Sequence, residues 1–175
     1  MIPVFCSILF KFLINKIKKG KPIVINTGTV FGLLSTKENN IYKLKNREKN
    51  KKNILLISDI GQIGKKLPEE FKKLAKEFWP GSLTLIYEKQ GYRIPKNKIL
   101  LKILRSTGPL WSSSANMSGQ NPIKNLKEAK RIFKDKVLYV SASNKLSNEP
   151  STIYDFDEKK IVREGKLALK LTSLY

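Results

Sequence analysis

The sequence predicts an α/β (α+β) domain, and three observations lead there. Short β-branched runs such as residues 21–26 (KPIVIN) and 53–58 (NILLIS) alternate with stretches whose apolar residues recur at helical spacing. A length of 175 residues with 41% hydrophobic content suits one ordinary domain and rules out two full-sized ones. No internal repeat or linker interrupts the pattern, so residues 1–175 are read as a single domain.

The first element is the apolar stretch of residues 1–14. Lys11 interrupts it before it could cross a bilayer, no basic stretch precedes it, and no small-residue cleavage site follows. Phe5, Ile8, Leu9, Phe12 and Leu13 recur at helical spacing, and Lys11, Lys16, Lys18 and Lys19 gather opposite them and near the end. A helix is therefore expected, closed by Gly20 at C′, its apolar stripe packed into the core and not on a membrane.

A strand at 21–26 leads into the polar turn Thr27-Gly28-Thr29. A short helix is expected at 39–45 and a buried strand at 53–58. Pro68 at N1, with Glu69 and Glu70 in the first turn, opens a helix carrying Phe71, Leu74, Ala75 and Phe78. Trp79-Pro80-Gly81 stops it. Residues 83–87 and 92–94 form a hairpin joined near Gly91, and 99–104 a further helix. A brief strand at 110–112 runs into a loop rich in Ser, Asn and Gly at 113–119, a composition that commonly holds ligands. Asn125 and Glu128 form a capping box for a helix with Leu126, Ala129, Ile132 and Phe133. Residues 137–140, 152–154 and 161–162 are the remaining strands.

Composition then limits the chemistry. Lys and Arg number 35 against 14 Asp and Glu, a formal charge of +21, so acidic partners are expected. Such a field attracts RNA, DNA, lipid and nucleotides alike, and most of the charge simply solvates a surface. The chain has no His, which removes Ser-His-Asp and Cys-His catalysis and every His-ligated metal site. Its single cysteine, Cys6, cannot form an internal disulfide and reads as a small hydrophobe, consistent with a cytoplasmic location. Residues 61–66 (GQIGKK) lack the phosphate-loop spacing and read as a solvated turn. Residues 112–114 lack the G-x-S-x-G elbow.

What remains is hydroxyl, amide and cationic groups at the ends of elements. Thr27 and Thr29 follow a strand. Lys45, Arg47 and Lys51 form a cationic edge. Ser114, Asn116 and Ser118 line a tight loop, Ser151 and Thr152 begin a later strand, and Arg163 lies near its partner. Taken singly, each reads as a surface charge or turn former. Together they suit a triphosphate, because phosphoryl-type transfer depends on positioning and charge neutralisation and can proceed without a protein nucleophile.

In order along the chain these residues sit in recurring motifs. They are residues 19–20 (KG) leading into 23–26 (IVIN), then 27–33 (TGTVFGL), 45–47 (KNR), 78–84 (FWPGSLT), 92–95 (YRIP), 114–119 (SANMSG), 151–155 (STIYD) and 162–165 (VREG). On these the sequence resembles the YrdC-like, or L-threonylcarbamoyladenylate synthase, family in its single-domain form, over nearly the whole chain.

The resemblance implies an open, twisted mixed sheet with flanking helices and a large basic concave face. It implies a nucleotidyltransferase reaction: L-threonine and bicarbonate give N-carboxythreonine, whose carboxylate attacks the α-phosphate of ATP to form threonylcarbamoyl-AMP and pyrophosphate. Downstream tRNA threonylcarbamoyl transferase proteins would then modify an adenosine of tRNA. By matching position, Lys45, Arg47, Ser114, Asn116, Ser151 and Arg163 would hold ATP and its phosphates, and Thr27, Thr29 and Arg93 would lie at the threonine and bicarbonate end. Mg²⁺ would arrive with ATP, as no protein cage for it is evident, and no side chain is assigned as nucleophile or base.

Departures stand beside the match. The family pattern Pro-Thr-(Asp or Glu)-Thr-x-Tyr-Gly here has Asn26, Gly28 and Phe31, and Glu48 replaces the Pro that follows the Lys-x-Arg motif. The segment between Leu33 and Lys45 is also shorter than usual. The rival reading is a non-enzymatic module binding tRNA or double-stranded RNA, which the charge supports, although no aromatic pair, GXXG helix or zinc knuckle accompanies it. A carbamoyl-handling relative from hydrogenase maturation is less consistent with a lone domain.

Overall fold

The computed structural model describes residues 7–141, 146–165 and 167. Cys6 and the residues before it, Phe5 among them, lie outside that set. A nine-stranded mixed sheet runs through the described residues in the order β7-β1-β2-β6-β3-β5-β4-β8-β9.

Helix α1 (Ser7–Lys18) ends as its sequence dictates. Gly20 takes φ +92°, its N–H donates to the Ile17 carbonyl at 2.8 Å, and Lys21 N–H donates to the Lys16 carbonyl at 3.0 Å, which is the Schellman pattern. The apolar stripe, however, is turned. Ile14 and Ile17 are the buried residues, flanked by partly buried Phe10 and Leu13, whereas Ile8 is 75%, Leu9 41% and Phe12 58% exposed. The helix is apolar on two sides, and the sheet takes the other one from that expected.

Strand β1 (Ile23–Asn26) is buried throughout, as a strand covered on both faces must be. It pairs antiparallel with β2 (Phe31–Ser35), which the sequence pattern did not mark as a strand because Gly and Ser dilute its apolar run. After α2 (Glu38–Lys45) come β3 (Ile54–Leu56), a 3-10 turn at Ile60–Ile63 that leads into exposed residues 64–66, and α3 (Glu69–Phe78). Pro68 is the N-cap of α3, one position earlier than expected. Strands β4 (Leu83–Tyr87) and β5 (Gln90–Arg93) form the expected hairpin, but it turns at Glu88 and Lys89, with φ of 47° and 64°, and Gly91 lies inside β5.

Asn97 caps α4 (Lys98–Thr107) by accepting from Leu100 N–H at 3.0 Å. Strand β6 (Leu110–Ser114) lies between β2 and β3. Half of the capping box of α5 (Leu126–Phe133) forms: Asn125 Oδ1 accepts from Glu128 N–H at 3.0 Å, while the Glu128 carboxylate passes the N-cap N–H and accepts from Lys124 N–H and the Asn125 side-chain amide, each at 2.9 Å. Strands β7 (Leu138–Val140), β8 (Thr152–Asp155) and β9 (Lys160–Arg163) complete the sheet.

Alternation along the strands distributes the core. Ile23, Ile25, Leu34 and Leu56 face α1 and α4. Val24, Leu33 and Phe31 face α2 and α5 on the opposite side, and Leu85, Tyr92 and Tyr154 pack on α3 through Phe71, Ala75 and Trp79. Arg93 pairs in register with Leu56, so it shares the face that carries α1 and α4.

Candidate functional site

The sequence-assigned residues gather in two adjoining clusters. The first stands at the end of β6. Lys45, last residue of α2, is 1% exposed. Its ammonium donates to the Ser114 carbonyl and, at 3.4 Å, to Asn116 Oδ1. The Asn116 amide in turn donates to the Met117 and Gln120 carbonyls, and Ser118 N–H donates to the Lys45 carbonyl at 3.3 Å. The loop and the end of α2 therefore fix each other. Burial, and secondarily the charge of Arg47, push the Lys45 ammonium down to about 7. Arg47 makes no hydrogen bond to this cluster: its guanidinium donates to the Lys51 and Lys52 carbonyls at 2.9 and 3.2 Å.

The second cluster centres on Arg93, which is 3% exposed. It donates to the Thr29 hydroxyl at 2.8 Å and the Thr27 carbonyl at 3.2 Å, while the Thr27 and Thr29 hydroxyls lie 3.1 Å apart. Beside it, Arg163 donates to the Ser151 carbonyl at 2.7 Å and the Ser151 hydroxyl at 3.0 Å, and that hydroxyl lies 2.9 Å from Thr84 Oγ1. Among the described residues no carboxylate forms an ion pair with Lys45, Arg47, Arg93 or Arg163, and Arg93 Nε has no hydrogen-bond partner. Burial, then the charge of Arg163, lower the Arg93 guanidinium to about 10; burial also lowers Arg163. A buried guanidinium, Arg93, and an exposed one, Arg163, that repel each other and meet only neutral oxygens form a receptor for an anion.

The clusters join through Gly32. Its register partner is Ser114, and a Cβ on it would stand 2.6 Å from the Thr27 methyl. The glycine thus lets Thr27 pack down beside β6. Residues 27–29 are held from both sides. Asn26 Oδ1 accepts from Gly28 N–H at 2.7 Å, Asn97 donates to the Asn26 carbonyl at 2.9 Å, and Asn148 N–H donates to the Thr29 carbonyl at 3.1 Å. Gly28 has φ +87° and a Cβ there would meet the Lys96 carbonyl oxygen at 3.2 Å.

A cleft of about 1260 Å³ opens next to this turn, lined among others by Gly28, Ser82, Lys96, Asn97, Lys98 and Ser147. It reaches the second cluster through Gly28 and does not include Lys45, Arg47, Ser114 or Asn116. Thr84, Asn26 and Asn97 were not assigned from sequence. Thr84 could have been found inside the 78–84 motif, whereas an N-cap asparagine such as Asn97 gives no sign that its amide also braces a distant turn. Among the described residues no group of three acidic, Cys or His side chains could hold a metal ion. No helix among them is long and apolar enough to cross a membrane.

Comparison with known proteins agrees with the fold. The model of the Sua5, YciO and YrdC proteins, described as telomere recombination, matches residues 15–165. An uncharacterised protein of Mycoplasma pneumoniae is 36% identical over 155 residues, covering 87% of this chain and 34% of that protein. A putative threonylcarbamoyl-AMP synthase of Methanocaldococcus jannaschii is 30% identical over 184 residues, covering 93% of this chain and 88% of the relative. The chain spans about a third of the length of its Mycoplasma relatives. Among solved structures, Pyrococcus abyssi Sua5 complexed with L-threonine superposes with a TM-score of 0.84 at 27% identity, over 94% of this chain and 56% of that one.

Proposed function

The chain belongs to the Sua5/YciO/YrdC family, and from that membership we propose that it is an L-threonylcarbamoyladenylate synthase, joining L-threonine, bicarbonate and ATP into threonylcarbamoyl-AMP and pyrophosphate for tRNA modification. The observation that carries the reading is a pair of arginines without carboxylate partners, buried Arg93 and exposed Arg163, the first on the Thr29 hydroxyl and the second on the Ser151 hydroxyl. Relatives named threonylcarbamoyl-AMP synthase and a neighbour whose structure holds L-threonine support it.

In this reading the amine of threonine combines with bicarbonate, losing water, and the resulting carbamate carboxylate attacks the α-phosphorus. The bond to the bridging oxygen breaks and pyrophosphate leaves. Thr27, Thr29 and Arg93 orient the amino acid and its carbamate. Lys45, Asn116 and Ser114 hold the nucleotide, with Arg47 at its edge, and Arg163 with Ser151 takes the phosphates. Mg²⁺ bound to the phosphates supplies further charge neutralisation. No protein group needs to take a proton from a carbamate that is already anionic, consistent with a chain that has no His. The whole of residues 1–175 would act as one domain.

The test is pyrophosphate release from ATP and Mg²⁺ with threonine and bicarbonate, each omitted in turn. Release that requires both is expected. Absence of threonine-dependent release, together with tight, salt-sensitive binding of tRNA and no ATP binding, would replace the enzyme by an RNA-binding module.

A further inference from the structure

The exposed side of α1 is the largest feature the proposed chemistry leaves unused. Ile8, Leu9 and Phe12 are 75%, 41% and 58% exposed, while the opposite side of the same helix supplies Ile14 and Ile17 to the core. At 100° per residue Ile8 and Phe12 stand one above the other with Leu9 beside them. Lys11, Lys16, Lys18 and Lys19, all exposed, frame the patch, and Lys16 Nζ lies 5.2 Å from the centre of the Phe12 ring. The first 37 residues of the chain contain no Asp or Glu, and residues 1–6 continue the apolar sequence of the helix.

Three occupants compete for such a face. A second copy would bring these lysines against themselves. A folded protein partner needs about 20–30 residues on each side for a stable interface, and three apolar side chains on one helix fall well short. An anionic lipid surface fits both features, because a few apolar side chains enter the headgroup boundary while the flanking ammonium groups meet the charged layer. We propose that α1 docks the protein on anionic lipid surfaces, lying in the interface with Ile8, Leu9 and Phe12 inserted and without crossing the bilayer.

The experiment is sedimentation of the full chain with vesicles of phosphatidylcholine alone and of phosphatidylcholine mixed with phosphatidylglycerol. Binding to the mixed vesicles is expected. The double substitution Ile8→Ser/Phe12→Ser, which keeps every charge, should lower that partition by about tenfold or more while far-UV circular dichroism stays unchanged. In a separate variant, the emission added by Phe12→Trp should shift to the blue on mixed vesicles and be quenched by bromine on the acyl chains. Equal partition of the wild type and the double variant would leave only diffuse charge attraction and overturn the proposal. So would unshifted emission from Phe12→Trp, or concentration-dependent self-association that the double substitution abolishes.

Discussion

The Arg93 guanidinium donates to the Thr29 hydroxyl at 2.8 Å, although three strands separate β1 from β5 in the sheet. In a flat sheet, at about 4.8 Å per strand, four steps would place these strands about 19 Å apart, beyond the reach of one side chain. Thr29 lies beyond β1, in the turn that follows it, and it is this turn that meets the Arg93 guanidinium. Arg93 ties β5 to the β1–β2 turn, which the Asn97 amide braces from the Asn26 carbonyl at 2.9 Å.

Arg93→Lys removes the second donor arm and the planar fork while keeping a cation. Threonine-dependent pyrophosphate release is expected to fall by about a hundredfold through lost positioning, with the melting temperature changed far less. Thermal melts and a release assay on the same preparation check this. A variant with unchanged turnover would remove Arg93 from the site.

Lys45 gives a dependence on pH. Its folded value of about 7 lies below its ordinary 10.5, so between those limits the folded chain holds fewer protons than the unfolded one. Stability contributed at this position therefore rises with pH across the window, by up to about 1.4 kcal/mol per pH unit, and is lowest below pH 7 where the buried ammonium is charged. The difference in unfolding free energy between the wild type and Lys45→Met, measured by denaturant titration from pH 7 to 9, should move in favour of the wild type. Triphosphate near Lys45 favours the ammonium form, so ATP binding above pH 7 should take up a proton, seen as a buffer-dependent heat in calorimetry.

Lys45→Ala and Arg47→Ala should each reduce ATP-dependent turnover by at least about tenfold. Lys65→Ala, which removes an exposed partner of Glu88, should leave it within about twofold, as surface pairs contribute little. Equal losses in all three would point to a diffuse effect of net charge.

Gly28→Asp reinstates the acidic residue of the family pattern but should not help. The backbone at φ +87° and the Lys96 carbonyl at 3.2 Å both oppose a side chain there. A loss of about 1–2 kcal/mol is expected, or about 2–8 °C in melting temperature, with no gain in turnover. A stable and more active Gly28→Asp would show that the turn at residues 26–29 is not fixed as described.

Much of this was legible in the sequence where a residue's role is local. Asn125 at the N-cap and Gly20 at C′ do what their positions dictate. The motif residues fall into two groups, around Lys45 and around Arg93, that meet at Gly32, with Arg47 bonded to neither. Roles that depend on distant partners were not legible. The turn of the β4–β5 hairpin falls at Glu88 and Lys89, whose positive φ no residue type announced, while the obvious glycine serves inside the strand. The burial of α1 went to Ile14 and Ile17 because only the docked sheet decides which side of a doubly apolar helix is covered. Arg47 looked like a partner of Lys45 at a spacing of two, yet points to the Lys51–Lys52 backbone and acts on Lys45 through its field alone.

Arg93 and Arg163, neighbouring cations whose charges oppose each other, make the free protein a sprung clasp. An anion seated against both relieves that tension while fastening β5 and β9 to the β1–β2 turn. Cargo and cohesion are then coupled: compounds that fill the site should declare themselves by the heat the molecule withstands, before any turnover is measured.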